Sequence, residues 1–110
     1  MPGNTTISNI RIHLAEQFNL TDEQIESMLP GFVETLAGHM QNLEEALFEN
    51  DPQATGRAAH TLKGALLNLG MEECAKIALL IEEKGKGDGE LTDCKKLVED
   101  LRLGLAPVIS

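Results

Sequence analysis

Tryptophan and tyrosine are absent from these 110 residues, and three phenylalanines supply the whole aromatic content of 3%. Base-stacking and sugar-stacking platforms need aromatic faces, so both are nearly excluded. Basic side chains are scarce too: Lys plus Arg number 9 against 18 Asp plus Glu, a formal net charge of −9. Phosphate backbones and anionic membrane surfaces repel such a chain. There are only two cysteines, Cys74 and Cys94. They make no disulfide framework and lack the close C-x-x-C spacing of a zinc or redox site. No apolar run approaches the roughly 18 residues of a membrane span. The start, Met1-Pro2-Gly3-Asn4-Thr5-Thr6, has neither the basic region nor the apolar run of a signal peptide. Strand patterning is weak, because β-branched residues never alternate with polar ones over a useful length. These absences leave the expectation of a soluble, reduced, cytoplasmic protein.

What is present is helical periodicity and enough hydrophobic residues, 42%, for one core. A short helix is expected over about Thr5 to Phe18, with Ile7, Ile10, Leu14 and Phe18 near helical spacing. Thr21 and Gln24 then form a T-x-x-Q capping box. Behind it Ile25, Leu29, Phe32, Leu36, Met40, Leu43 and Leu47 make one stripe, a long second helix to about Glu49. Pro30-Gly31 interrupts it, so a kink or a break is expected there. Asp51-Pro52 starts a third helix, with Asp as N-cap and Pro in the first turn. It runs to about Leu69 and stops at Gly70. A fourth spans about Glu72 to Lys84. Gly85, Gly87 and Gly89 read as a flexible loop, and a last helix begins near Leu91 or Thr92 with Pro107 near its end. Short connections place neighbouring helices antiparallel. The expected architecture is all-α: an up-down four-helix bundle with a short additional N-terminal helix, one stand-alone domain over 1–110.

The third helix holds the chemistry. Gly56 and Gly64 lie inside it, each costing about 1 kcal/mol relative to Ala. They stand four residues before and four after His60, on its face, and strip bulk from either side of the imidazole. From Pro52 to Met71 there is no Asp or Glu, in a chain with 18 of them. Arg57 and Lys63 flank His60 at i−3 and i+3, again on its face. An acid-free basic island on an acidic protein points to an anion at this spot. A neutral imidazole is a good nucleophile near pH 7. Together these suggest that His60 accepts a phosphoryl group that Lys63 helps to neutralise. The bland alternative is a surface histidine on a helix whose glycines allow close packing.

At these residues the sequence resembles the histidine-containing phosphotransfer (HPt) domains. Ala59-His60-Thr61-Leu62-Lys63-Gly64 followed by Leu69-Gly70 looks like their A-H-x-L-K-G…L-G signature. Phe32 on the long helix, the Asn50-Asp51 turn and Leu80-Ile81-Glu82 also fall where the family would place them. The resemblance implies a four-helix bundle with the phosphorylated histidine exposed in mid-helix, passing phosphoryl groups between receiver-domain aspartates or from a histidine kinase to a response regulator. His60 would accept through Nε2, Lys63 would stabilise the group and Gly64 would keep the surface open. Glu82 corresponds to a polar position that in some members hydrogen-bonds the imidazole. The family usually has small residues where this chain has Leu66 and Leu67. One of the two can face the core; Leu67, at i+7 from His60, is either an apolar anchor for a receiver or a partly buried core residue.

The weaker candidates read structurally. His13 and His39 are isolated polar-face histidines, and Cys74 and Cys94 small buried hydrophobes. Gly85-Lys86-Gly87-Asp88-Gly89 lacks the strand and Lys-Ser/Thr pair of a phosphate loop and reads as a helix connection. There is no Walker loop, kinase Gly-rich loop or evident metal cage. The expectation is therefore a monomeric carrier rather than an enzyme, with no cofactor or metal of its own. A receiver domain would bring the aspartate and Mg²⁺, and no nucleic acid or membrane is a partner. Its docking surface would include Gly56, Arg57, Lys63, Gly64 and Leu67 with part of the second helix or the first. A helical adaptor carrying no phosphate is the alternative.

Overall fold

The computed structural model describes residues 7–87 and 91–109. They form five helices: α1 (Ile7–Phe18), α2 (Asp22–Phe48), α3 (Pro52–Asn68), α4 (Glu72–Lys86) and α5 (Leu91–Ile109). Among the described residues there is no strand. The expected first two residues of α1, Thr5 and Thr6, lie outside the described residues, as does Gly89 of the expected loop. No described helix is long and apolar enough to cross a membrane.

Helix starts and stops follow local chemistry. At α2 the capping box is complete: Gln24 N–H donates to Thr21 Oγ1 at 3.2 Å, and Thr21 N–H donates to Gln24 Oε1 at 2.9 Å. α2 and α3 end in the same way. Asn50 (φ 57°) and Gly70 (φ 77°) adopt the left-handed conformation just past each helix. Asp51 N–H then reaches back to Ala46 O at 3.2 Å, and Met71 N–H to Leu66 O at 2.9 Å. This is the Schellman arrangement, which satisfies carbonyls that a helix end would orphan. Each motif hands directly into the next helix. Asp51 is already the N-cap of α3, accepting from Ala54 N–H at 3.0 Å. Gly70 has a second reason to lack a side chain: a Cβ there would stand 2.5 Å from the His13 ring. His13 is thus half-buried against this turn and edge-on to Phe18 at 6.3 Å, rather than isolated on a polar face.

Of the kink or break expected at Pro30-Gly31, the break does not occur, and the expected glycine loop begins later. α2 runs unbroken through Pro30. Pro30 and Gly31 are both exposed, so the proline lies on the watery side of the helix, where water can partner a freed carbonyl. Gly85 belongs to no loop. It is a buried residue of α4, and Gly87 caps the helix with N–H to Glu83 O at 3.2 Å.

The core is drawn from all five helices. Ile25, Leu36 and Leu43 of α2, Leu62 and Leu66 of α3, Ile81 of α4, and Leu101 and Leu105 of α5 are completely buried. α2 packs on α3 and α5, and α4 packs on the same two, so these four enclose one core; α1 leans on α2. Cys74 and Cys94 are buried among these residues. Arg11 with Glu26 (2.5 Å) ties α1 to α2, and Arg102 with Glu44 ties α5 to α2. Exposed pairs of this kind contribute about 0–1 kcal/mol each, so the apolar core carries the fold.

α3 and α4 approach to backbone contact at Gly56 and Gly85. A Cβ on Gly85 would lie 2.7 Å from both Gly56 N and Pro52 O, inside van der Waals contact with backbone that has nowhere to go. A Cβ on Gly56 would meet α4 at an ordinary 3.5 Å. Gly85→Ala is therefore expected to destabilise by about 1–3 kcal/mol through overpacking. Gly56→Ala should be neutral or mildly stabilising, since helix propensity favours alanine by up to about 1 kcal/mol. Urea unfolding followed by helical circular dichroism checks the pair, and equal midpoints for the two variants would contradict this packing.

Candidate functional site

The Gly56–Gly85 contact sets the geometry of the site. One turn further along α3 from Gly56 is His60, and nearly one turn back along α4 from Gly85 is Glu82. With the two backbones this close, the Glu82 side chain reaches under the imidazole: His60 Nδ1 stands 2.8 Å from Glu82 Oε2. Lys63 Nζ donates to Oε1 at 2.9 Å, and Lys86 Nζ donates to Oε2 at 2.7 Å. Glu82 is 4% exposed, so its charge depends on these three donors. The Lys86 hydrogen bond lowers its pKa most, burial opposes, and Lys63 and His60 lower it further; the outcome is about 2, against an ordinary 4.5. A carboxylate held that low only accepts. In the neutral ring the proton of this contact therefore sits on Nδ1, and Nε2 keeps its lone pair.

The imidazole itself is outward. The His60 side chain is 62% exposed while Glu82 beneath it is buried. Gly64 is exposed and nothing lies within 4 Å of where its Cβ would be. That side of the ring is open, as the sequence suggests. The other side differs from expectation. Gly56 is buried against α4, so its small size serves helix packing and offers no surface to a partner. Arg57 is exposed and lines, with Lys86, a hollow of about 630 Å³ at the start of α3. Leu66 is buried and Leu67 is half-exposed at 50%, so the two leucines divide between core and surface.

The stretch without acids along the chain is not without one in space, because α4 brings Glu82 into its middle. Lys86 is the member that sequence reading missed. Its signal was the i, i+4 spacing to Glu82, which places both on one face of α4. Beside the site, on the side of Thr61 and Gly64, runs an apolar groove of about 710 Å³. Leu14 and Phe18 of α1, Met28 and Phe32 of α2, and Ala65 of α3 line it. His39 also lines this groove and is half-buried. Leu67 is not part of it. Among the described residues, no three His, Cys, Asp or Glu side chains come together as metal ligands do.

An exposed imidazole with a buried carboxylate behind it and a lysine beside it presents a ring nitrogen that can act as a nucleophile. Residues 27–109 match the family model of the Hpt domain. The match covers most of the chain, which belongs to the Hpt domain family. Neither a curated protein nor a solved structure matches it. Membership carries a general role: phosphotransfer in two-component signalling, as a phosphocarrier that interacts with receiver domains.

The coupling of Glu82 to its donors has a consequence for stability. Its pKa in the folded state, about 2, lies below the unfolded value near 4.5. It therefore contributes stability that is present above pH 4.5 and lost as pH falls from 4.5 toward 2. Wild type should lose on the order of 2 kcal/mol more than Glu82→Gln across that window. Parallel acid dependence of the two proteins in urea unfolding would show that the carboxylate is not held as described.

Proposed function

We propose that His60 is the phospho-acceptor and that the chain carries a phosphoryl group on its Nε2 between a receiver aspartate, or a histidine kinase, and a response regulator. The observation that carries this reading is the split environment of the ring: Nδ1 tied 2.8 Å from a buried carboxylate, Nε2 on the solvent side of a 62% exposed side chain. In the transfer from an aspartyl phosphate, the Nε2 lone pair attacks phosphorus. The P–O bond breaks and its electron pair leaves with the aspartate carboxylate. Nδ1 keeps its proton against Glu82, so no proton has to depart. Lys63 turns from Glu82 to the phosphoryl oxygens, a task suited to a compact ammonium on a flexible stem. The receiver brings the aspartate and Mg²⁺.

Charge supports this assignment. Among the described residues, Arg57, Lys63 and Lys86 stand beside the carboxylate of Glu82, a surplus of two positive charges. A phosphoryl group brings about −1.5 to −2, so the incoming charge is met locally although the chain as a whole is acidic. We further read residues 1–110 as one domain with α2 to α5 running up and down, monomeric and cytoplasmic. The receiver would dock over Gly64, with Arg57 and Leu67 at the edge and the α1–α2 groove as its apolar seat. An apolar centre with a charged rim is the usual anatomy of such contacts. Phe18 and Met28, 52% and 42% exposed, are the large apolar side chains there.

Purified protein incubated with a phosphorylated receiver and Mg²⁺ should gain acid-labile, base-stable phosphate, and His60→Gln should abolish it. Transfer to His60→Gln would overturn the assignment, and a wild type that no receiver or kinase can label would favour a phosphate-free adaptor. Gly64→Gln should keep or raise helix stability by up to about 1 kcal/mol yet impair transfer from the receiver; unchanged transfer would show that access at this position is unimportant. Met28→Asp should raise the KM for the receiver roughly tenfold, as expected for about 1.4 kcal/mol of lost docking. It should leave labelling by phosphoramidate, which needs no docking, at the wild-type rate.

A further inference from the structure

Lys86 is one of the three groups that meet the buried Glu82 carboxylate. It lies one turn beyond Glu82 on α4 and places Nζ 2.7 Å from Oε2, the oxygen that His60 Nδ1 approaches at 2.8 Å. Lys63 takes the other oxygen at 2.9 Å. One carboxylate oxygen is thus divided between the imidazole and a lysine, while the second oxygen is held by a different lysine. The two lysines differ in place. Lys63 is on α3 with the histidine and is 23% exposed; Lys86 is on α4 with the carboxylate and is 66% exposed. An exposed lysine has water as a full alternative, so the pair adds little to stability by itself. Its position on the shared oxygen is what makes it consequential.

We propose that Lys86 is a positioning residue for phosphotransfer and acts on His60 through Glu82. It draws on Oε2 and so limits how firmly that oxygen holds Nδ1–H. It also keeps the buried carboxylate partnered when Lys63 moves to the phosphoryl group. The second half rests on the reading of His60 as phospho-acceptor; the first does not. A buried carboxylate stripped of its cation is costly. Without Lys86, Lys63 would be the remaining cation on Glu82 and would be retained there instead of turning to the phosphate. Among the described residues, the charged groups near the ring are Glu82 and Lys86 from α4 and Lys63 and Arg57 from α3, with His39 of α2 along the adjoining groove.

Two measurements test this. The first is a ¹⁵N NMR titration of the His60 ring in wild type, Lys86→Met, Glu82→Gln and the double variant. Lys86→Met should raise the His60 midpoint by roughly 0.3–0.8 pH units, because the carboxylate then favours the protonated ring more. Lys86→Arg should restore it. In the Glu82→Gln background the effect of Lys86→Met should largely vanish. An unchanged midpoint in Lys86→Met, or a shift of equal size without Glu82, overturns the proposal, since the lysine would then be silent or act directly through space. The second is the half-life of phospho-His60 made with phosphoramidate, where the Nε2–P bond forms as the P–N bond breaks and ammonia leaves with its electron pair. Lys86→Met should shorten it about two- to fivefold, by roughly 0.4–1 kcal/mol, with Lys86→Arg near wild type. An unchanged half-life overturns the exchange of Lys63. Failure of wild type to take up phosphate counts against the phospho-acceptor reading, while the titration still decides whether Lys86 acts through Glu82.

Discussion

A carboxylate cannot be buried alone, and Glu82 is 4% exposed. Its partners therefore constrain much of what surrounds it. Three donors converge on two oxygens from two helices, and they can do so only because α3 and α4 approach to backbone contact at Gly56 and Gly85. The close packing of α3 on α4 and the placement of the imidazole are the same constraint. Widening the helix pair would take the carboxylate away from the imidazole before it disturbed the apolar core formed by Leu62, Leu66 and Ile81. The turns on either side of α3 add to this. Each connection is a Schellman motif that passes straight into the next N-terminus, leaving little slack through which α3 could slide.

The charge distribution follows the same logic. A net charge of −9 disfavours any extended polyanion, yet a single phosphoryl group sees mainly its immediate neighbours, since free charges more than about 8–10 Å away are largely screened. Among the described residues, Lys63 and Lys86 share the Glu82 carboxylate beneath the ring, and Arg57 lines a hollow with Lys86.

Much of this was legible in the residues. The helix N-termini were readable because Thr21 with Gln24, and Asp51 with Pro52, satisfy donors within three residues of themselves, a local matter. Gly70 was readable because a left-handed cap selects glycine. His60, Lys63 and Gly64 share a face by periodicity alone, and the division of Leu66 from Leu67 follows from the same count. What failed were statements about neighbours. Gly56 and Gly64 are equivalent by spacing, but one meets α4 and the other meets water, and periodicity names a face without saying what covers it. Gly85 was misread because glycines spaced by polar residues resemble a loop. Its reason for being glycine is Gly56, a contact 29 positions away along the chain. At Pro30 the sequence leaves a kink and a break open, and only the break is excluded, because the cost of a proline depends on its surroundings. The groove involves α1, α2 and α3 at once, so no single stretch encodes it.

The division of the imidazole between two environments has a mechanistic consequence. One ring nitrogen belongs to the fold and the other to whatever approaches. Rotating the ring about its own bonds would give up the 2.8 Å contact to Glu82 and strand part of a buried charge, so the lone pair on Nε2 is held in one direction without any group touching it from the solvent side. A carrier needs this combination. Its acceptor must be open enough for a partner's phosphoryl group to arrive in line, yet its orientation cannot depend on that partner, which has to leave. Placing the orienting group behind the ring, on a neighbouring helix and out of water, meets both demands with side chains that never need to contact the partner.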